Sequence, residues 1–354
     1  MQRFKNILVV INRETSNAAL IARAVTVAQR NQARLTVVAV IKKTNLPLPA
    51  EPAVVAKEPI IKIIEEFPVD MAVPVTSISP EDFQARIPVT IEELPLDVQE
   101  QIIQEEKFDL EQIVGSIQQA EIPVSSKLLY GSPFLEIIRE VLRGGHDLVM
   151  IAAEGRTGLK EALFGRTTMH LMRKCPCPVW VTSPDQPKQL KHILAAIDPS
   201  SPNEEQNAIN IKIMDLATSL AHRERCELLI IHTWSFNLES SVRSGRVSVP
   251  QNKVDEWGRG VRDKHRRSLG ELLKLYDLEN QKHQVYLLKG EAESLIPALA
   301  AAKEVELIIM GTVSRAGIAG LLIGNTAEKV LRQVDCSVLT IKPEGFITPV
   351  KLDA

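Results

Sequence analysis

Residues 148–181 read LVMIAAEGRTGLKEALFGRTTMHLMRKCPCPVWV, and residues 307–341 repeat that outline as LIIMGTVSRAGIAGLLIGNTAEKVLRQVDCSVLTI. Gly165 and Gly324 stand 159 residues apart, and so do Gly131 and Gly290. A register held over that span means two copies of one folding unit. In each copy a glycine-punctuated loop joins an apolar run to a helix, where backbone N–H groups can face an anion.

Each half opens on a short, continuous apolar run, Ile7–Ile11 and Ile193–Ile197. Unbroken rather than alternating apolar character suits a strand covered on both faces. Amphipathic stretches follow at Asn17–Arg30 and Glu204–Arg223, then second runs at Leu35–Ile41 and Leu228–Ile231. Third runs (Lys127–Tyr130, Gln284–Leu288), helices (Pro133–Arg143, Ser294–Lys303), fourth runs (Leu148–Ala152, Leu307–Met310), further helices and fifth runs (Val179–Thr182, Val338–Ile341) complete the pattern. Strands alternating with helices predict an α/β fold with a mostly parallel sheet in each half.

The proline-marked polar link at 183–187 divides the chain into domains 1–187 and 188–354. The halves differ mainly between strands two and three. Residues 44–97 are rich in proline and acidic residues without sustained periodicity, and read as a long excursion with at most short helices. The second half has a shorter excursion at 236–256 and then a helix from about Val254 to Leu275, carrying the basic cluster 259–267. That cluster lacks interleaved aromatics and shares its helix with acidic residues, so a solvated face is expected, not a nucleic-acid surface.

The 354 residues suffice for two cores, and a formal charge of −2 gives no general attraction to nucleic acid or anionic lipid. No apolar run approaches the roughly 18 residues of a membrane span. Four cysteines, two of them in Cys175-Pro-Cys177, make no disulfide framework or metal-ligand pattern. A soluble, cytoplasmic chain in reducing surroundings is expected. The seven histidines are scattered and form no recognisable nucleophile motif, and Walker-type and G-x-G-x-x-G signatures are absent.

In the second half Gly311-Thr-Val-Ser314 is followed, nine residues on, by Gly324-Asn325-Thr326. Gly311 sits at a strand end where a side chain would fill the space a ligand needs. Gly324 opens a helix over Asn325–Val334 whose first N–H groups lack partners, and Asn325 and Thr326 can cap it or donate to phosphate. Asp198, closing the first strand of this half, stands at the same sheet edge, where doubly wound sheets bind ligands.

These residues carry a family resemblance. The whole chain resembles the tandem universal stress proteins, most of all the two-domain E type. The resemblance implies two tandem Rossmann-like domains of the adenine nucleotide alpha hydrolase-like kind, each a five-stranded parallel sheet of order 3-2-1-4-5 with helices on both faces. It also implies ATP binding, with magnesium, through G-x2-G-x9-G-[S/T]. Gly311 matches the first glycine of that pattern and Gly324 the third, while Ser314 replaces the second and Asn325 takes the hydroxyl position. Asp198 matches the aspartate that contacts the nucleoside; Thr233 falls where backbone meets adenine, and Met310 precedes the first glycine. In the first half Asn12 replaces the aspartate and Ala152 the first glycine, Gly155 and Gly165 match, and Arg166 takes the hydroxyl position, a degenerate site.

The functional expectation is a regulatory binding module for a small molecule in stress response, with an ATP-like nucleotide in the second domain. Two alternatives stand beside it. One is an amphipathic, lipid-like ligand in an apolar cleft bounded by 317–323 and the 44–97 excursion. The other is a slow ATPase, which the paucity of charged catalytic groups in the phosphate loop disfavours. The fifth strands, left at the edge of each sheet, are expected to pair with each other as an intrachain pseudo-dimer, with a homodimer of chains as a further possibility.

Overall fold

The computed structural model describes residues 4–13, 15–42, 96–153, 164–187, 189–200, 204–236, 249–312 and 324–352. The first half runs β1 (Asn6–Val10), α1 (Ala18–Asn31), β2 (Arg34–Lys42), α2 (Leu96–Gln118), β3 (Val124–Gly131), α3 (Pro133–Gly144), β4 (Leu148–Ala152), α4 (Arg166–Lys174) and β5 (Val179–Thr182). The second runs β6 (His192–Ala196), α5 (Glu204–Glu224), β7 (Glu227–Trp234), α6 (Gln251–Leu273), β8 (His283–Lys289), α7 (Ala292–Ala302), β9 (Leu307–Gly311), α8 (Asn325–Leu331) and β10 (Ser337–Ile341). No helix among the described residues is long and apolar enough to cross a membrane.

The strands form one ten-stranded sheet of order β3-β2-β1-β4-β5-β10-β9-β6-β7-β8. Each half therefore has the order 3-2-1-4-5, with parallel neighbours throughout. The seam is antiparallel: β5 pairs with β10, and Trp180 lies opposite Leu339. The edges that each half would expose alone are thus buried at the centre, leaving β3 and β8 as the outer strands.

Side chains alternate between two faces. Ile7 and Val9 join α1, α2, α5 and α6 on one side, while Leu8 and Val10 join α3, α4, α7 and α8 on the other. Both core clusters contain residues from both halves, so packing is continuous across the seam. An ion cluster reinforces it. Arg23 of α1 donates to Glu224 Oε1 at the end of α5, 3.1 Å away, with both side chains buried, and Arg30 reaches the same oxygen. Arg23 also donates to the Pro187 carbonyl at 3.1 Å.

The glycine pair at constant spacing has a backbone explanation. Gly131 and Gly290 close β3 and β8 with φ of +140° and +142°, a region that L side chains rarely enter. Pro133 then starts α3 at a position needing no N–H partner, and Gly145 ends it in the left-handed conformation.

The sequence reading requires one correction. It extends the aperiodic excursion to residue 97 and names no helix before β3, whereas α2 begins at Leu96 and runs 23 residues, the counterpart of α6. The signal was present: Leu110, Ile113, Val114 and Ile117 follow helical spacing and pack on the core. Residues 44–95 lie outside the described residues.

Candidate functional site

The carboxyl ends of β6, β7 and β9 meet the start of α8 around a cavity of about 660 Å³. Asp198, Thr233, Met310, Gly311, Gly324, Asn325 and Thr326 all line it. Ser314 lies outside the described residues. Four separate stretches of chain thus converge on one space, at the sheet edge where the topology places ligands.

Local chemistry fixes each stretch. Beyond β6, the Asp198 N–H donates to Asn210 Oδ1 at 2.9 Å, and Asn210 Nδ2 donates back to the Asp198 carbonyl at 2.8 Å. Asn210 is buried on α5, so the turn is held by a side chain that water does not reach. Ser200 Oγ donates to Asp198 Oδ1 at 2.8 Å, orienting the carboxylate. The first half uses the same device: the Asn12 N–H donates to Asn17 Oδ1 at 3.2 Å, and Asn17 Nδ2 donates to the Asn12 carbonyl at 2.9 Å.

The loop after β9 is pinned at its base. Thr312, fully buried, accepts the Gly324 N–H on its carbonyl at 3.0 Å. Its hydroxyl oxygen accepts from Lys342 Nζ at 2.7 Å. The same ammonium donates to the Met172 and Arg173 carbonyls at 2.7 and 3.1 Å, at the end of α4. A buried lysine from the last strand therefore ties the second-half loop to a first-half helix.

Burial pushes the Lys342 ammonium down to about 8 from an ordinary 10.5. The unfolded chain holds that proton up to about 10.5, so raising the pH through this window removes a cost borne only by the folded state. Stability rises there by up to about 1.4 kcal/mol per pH unit. Cys226 and Cys336, pushed up to about 12 by burial, act in the opposite sense once unfolded thiols ionise near 9. Lys342 alone adds about 1 kcal/mol between pH 8 and 9, and the buried thiols offset most of it. Lys342→Met shares the thiol effect, so the stability difference between the two proteins should shift in favour of the wild type by about 1 kcal/mol over that interval. Urea midpoints of both proteins across pH 7.5–10 measure this.

Two expectations about this loop change. The space a Gly311 side chain would take is not open to a ligand: a Cβ there would lie 2.9 Å from Ile209 Cγ2. Glycine at 311 lets α5 pack closely on β9. Nor does Asn325 or Thr326 stand at the cap of α8: the N-cap is Gly324, which has no side chain to accept from the first turn. Both side chains are exposed at the cavity.

Sequence reasoning missed the histidines. His232 on β7 is buried against the cavity, and its Nδ1 lies 3.1 Å from the Ile197 carbonyl. A carbonyl only accepts, so Nδ1 carries the proton. His232 Nε2 shares a hydrogen bond with His265 Nδ1, 2.7 Å away on α6. The helix read as a solvated basic face thus turns one residue inward, and the two rings stack with centroids 5.0 Å apart. Thirty-three positions separate the pair, and no local pattern announces it. The described lining includes two carboxylates, Asp198 and Glu291, and no lysine or arginine.

In the first half Asn12 follows β1, Ala152 ends β4 and Gly165 and Arg166 start α4, all at the corresponding edge. None of these four lines any of the three cavities described among these residues, and Gly155 lies outside them. The described residues contain no cluster of three His, Cys, Asp or Glu able to hold a metal, and all four cysteines are free.

A family model described as the Universal stress protein family matches residues 3–183 and again 189–342. The chain is 28% identical to Universal stress protein E of Salmonella typhi over 355 residues, covering 100% of this chain and 99% of that one. It is 33% identical to Universal stress protein E of Escherichia coli K12 over 241 residues, 66% of this chain and 73% of that one. A solved structure from Pseudomonas aeruginosa UCBPP-PA14 is similar with a TM-score of 0.66 at 22% identity, over 98% of this chain and 95% of that one. At that identity the likeness concerns fold alone.

Proposed function

Because the chain belongs to the universal stress protein family, we propose that it is a regulatory binding module whose second half holds an adenine nucleotide in the cavity above β6, β7 and β9. The observation that carries this reading is the convergence of Asp198, Thr233, Met310, Gly311, Gly324, Asn325 and Thr326 on one space of about 660 Å³. That volume is in the range of sites for small organic ligands. Ile197, Ile209, Ile213, Ile231 and Ile296 provide an apolar wall for a base. The Asp198 carboxylate, held by Ser200, accepts hydrogen bonds from ribose hydroxyls. Asn325 and Thr326 offer amide and hydroxyl donors to phosphate. With carboxylates and no cationic side chain in the described lining, a triphosphate needs Mg²⁺ to offset its charge, whereas adenosine monophosphate is less demanding.

Regulation rather than turnover fits the groups available. His232 is already engaged with the Ile197 carbonyl and His265, and the described lining supplies no lysine or arginine to stabilise a phosphoryl transition state. The first half, with Asn12 and Arg166 at the corresponding positions, is the weaker copy.

Isothermal titration with ATP, with and without Mg²⁺, and with AMP tests the reading. Asp198→Ala should weaken binding about 10- to 100-fold through lost charge-assisted hydrogen bonds. Unchanged affinity in that variant, or no nucleotide affinity in the wild type, refutes it. The apolar wall favours a second reading, an amphipathic ligand, which native mass spectrometry of gently purified protein detects as a co-purified species.

A further inference from the structure

We propose a second ligand site, independent of the first, in the groove between the ends of β7 and β8 and the first half of α6, built for a small aromatic anion. The groove has a volume of about 260 Å³, and its described lining brings Trp234, Phe236 and Val254 together with Arg259, Arg262 and Lys289. Aromatic and cationic groups are already juxtaposed there: Lys289 Nζ lies 5.7 Å from the centroid of the Trp234 ring. Helix and ring approach closely there: a Cβ at Gly258 would stand in ordinary contact, 3.7 Å from the Phe236 ring.

The charge balance selects the ligand. Asp255 is the one acidic residue among the described residues lining the groove, and it accepts from Gln251 one turn earlier on α6. Arg262 contacts its neighbour Asp263 at 3.1 Å in a solvent-exposed pair, which is worth little and leaves the guanidinium able to turn to a better acceptor. Among the described lining residues three cations stand against one carboxylate, which favours an anion, and guanidinium geometry suits a carboxylate or phosphate taken by two N–H groups. The indole and phenyl walls add the requirement for a flat ring, through stacking and apolar contact. The volume admits one or two fused rings and not a nucleoside triphosphate. Trp234 lines the larger cavity as well, but the two described linings share no other residue, so occupancy of one site does not require the other.

Titration calorimetry with 2-naphthyl phosphate, 2-naphthol and inorganic phosphate tests the site. The naphthyl phosphate should bind, and each half of it alone should bind at least about 10-fold more weakly. Arg259→Ala combined with Arg262→Ala should weaken the naphthyl phosphate at least about 10-fold, and Lys289→Ala should also weaken it. The two arginines sit on a helix where alanine is well tolerated, so the fold should persist, as circular dichroism would verify. Asn325→Asp, an exposed change in the first cavity, should leave naphthyl phosphate binding intact. No binding, equal binding of inorganic phosphate, insensitivity to the arginine pair, or loss with Asn325→Asp each overturns the proposal. Failure of ATP and AMP to bind leaves this outcome unaffected.

Discussion

Gly324→Asp is expected to abolish nucleotide binding, with a loss of at least about 100-fold, while Gly165→Asp changes it little. Gly324 is buried at the base of the candidate loop, its N–H engaged by the Thr312 carbonyl. A carboxylate there enters a cavity that already contains Asp198 and Glu291, with no cationic side chain in its described lining. A phosphate at about 5 Å from such a charge is repelled by about 3 kcal/mol at an effective dielectric constant of about 20. Each 1.4 kcal/mol is tenfold in affinity, which sets the expected loss. Gly165 precedes α4 at the edge where Asn12 stands in place of an aspartate. Equal losses from the two substitutions would contradict the inequality between halves.

Gly324 is buried, so its substitution also risks the fold, and Asn325→Asp separates the two effects. Asn325 is exposed and opens α8, where a carboxylate favours the helix. This variant should keep or slightly raise the melting temperature while weakening ATP and AMP at least about 10-fold. Unchanged nucleotide affinity would remove phosphate from the neighbourhood of residue 325.

The duplicated sheet was legible because its causes are local. Central strands such as β1 and β9 are covered on both faces and so must be continuously apolar. Gly131 and Gly290 recur because their backbone conformation admits little else. The convergence of Asp198, Thr233 and Gly324 on one cavity was also readable, since the ends of parallel strands share an edge. What escaped depends on contacts between distant residues. His232 and His265 meet only when α6 packs over β7. Lys342 is indistinguishable in sequence from a solvated lysine at a strand end, yet it donates to three acceptors, two of them across the seam. Gly311 lines the cavity, but the reason the sequence suggested for a glycine there does not apply: the space it leaves is occupied by Ile209.

Glu224 provides the sharpest measure of how the halves are joined. Its side chain is 4% exposed and that of Arg23 3%, so neither charge has water to fall back on. Burial lowers the Arg23 pKa, and Glu224 opposes that shift. Glu224→Leu leaves the buried Arg23 guanidinium without the Glu224 carboxylate, at a cost of about 3–5 kcal/mol. The partly exposed Arg30 can turn to solvent, so the penalty falls on Arg23. Adding Arg23→Met removes the stranded charge and should restore stability to within about 1 kcal/mol of wild type, because a well-packed apolar pair is often as stable as the ion pair it replaces. Urea denaturation of the wild type and the two variants decides it. Both core clusters cross the seam, so the loss should shift one cooperative transition rather than release the second half alone. If the single variant costs less than about 1 kcal/mol, the ion cluster does not hold the halves together.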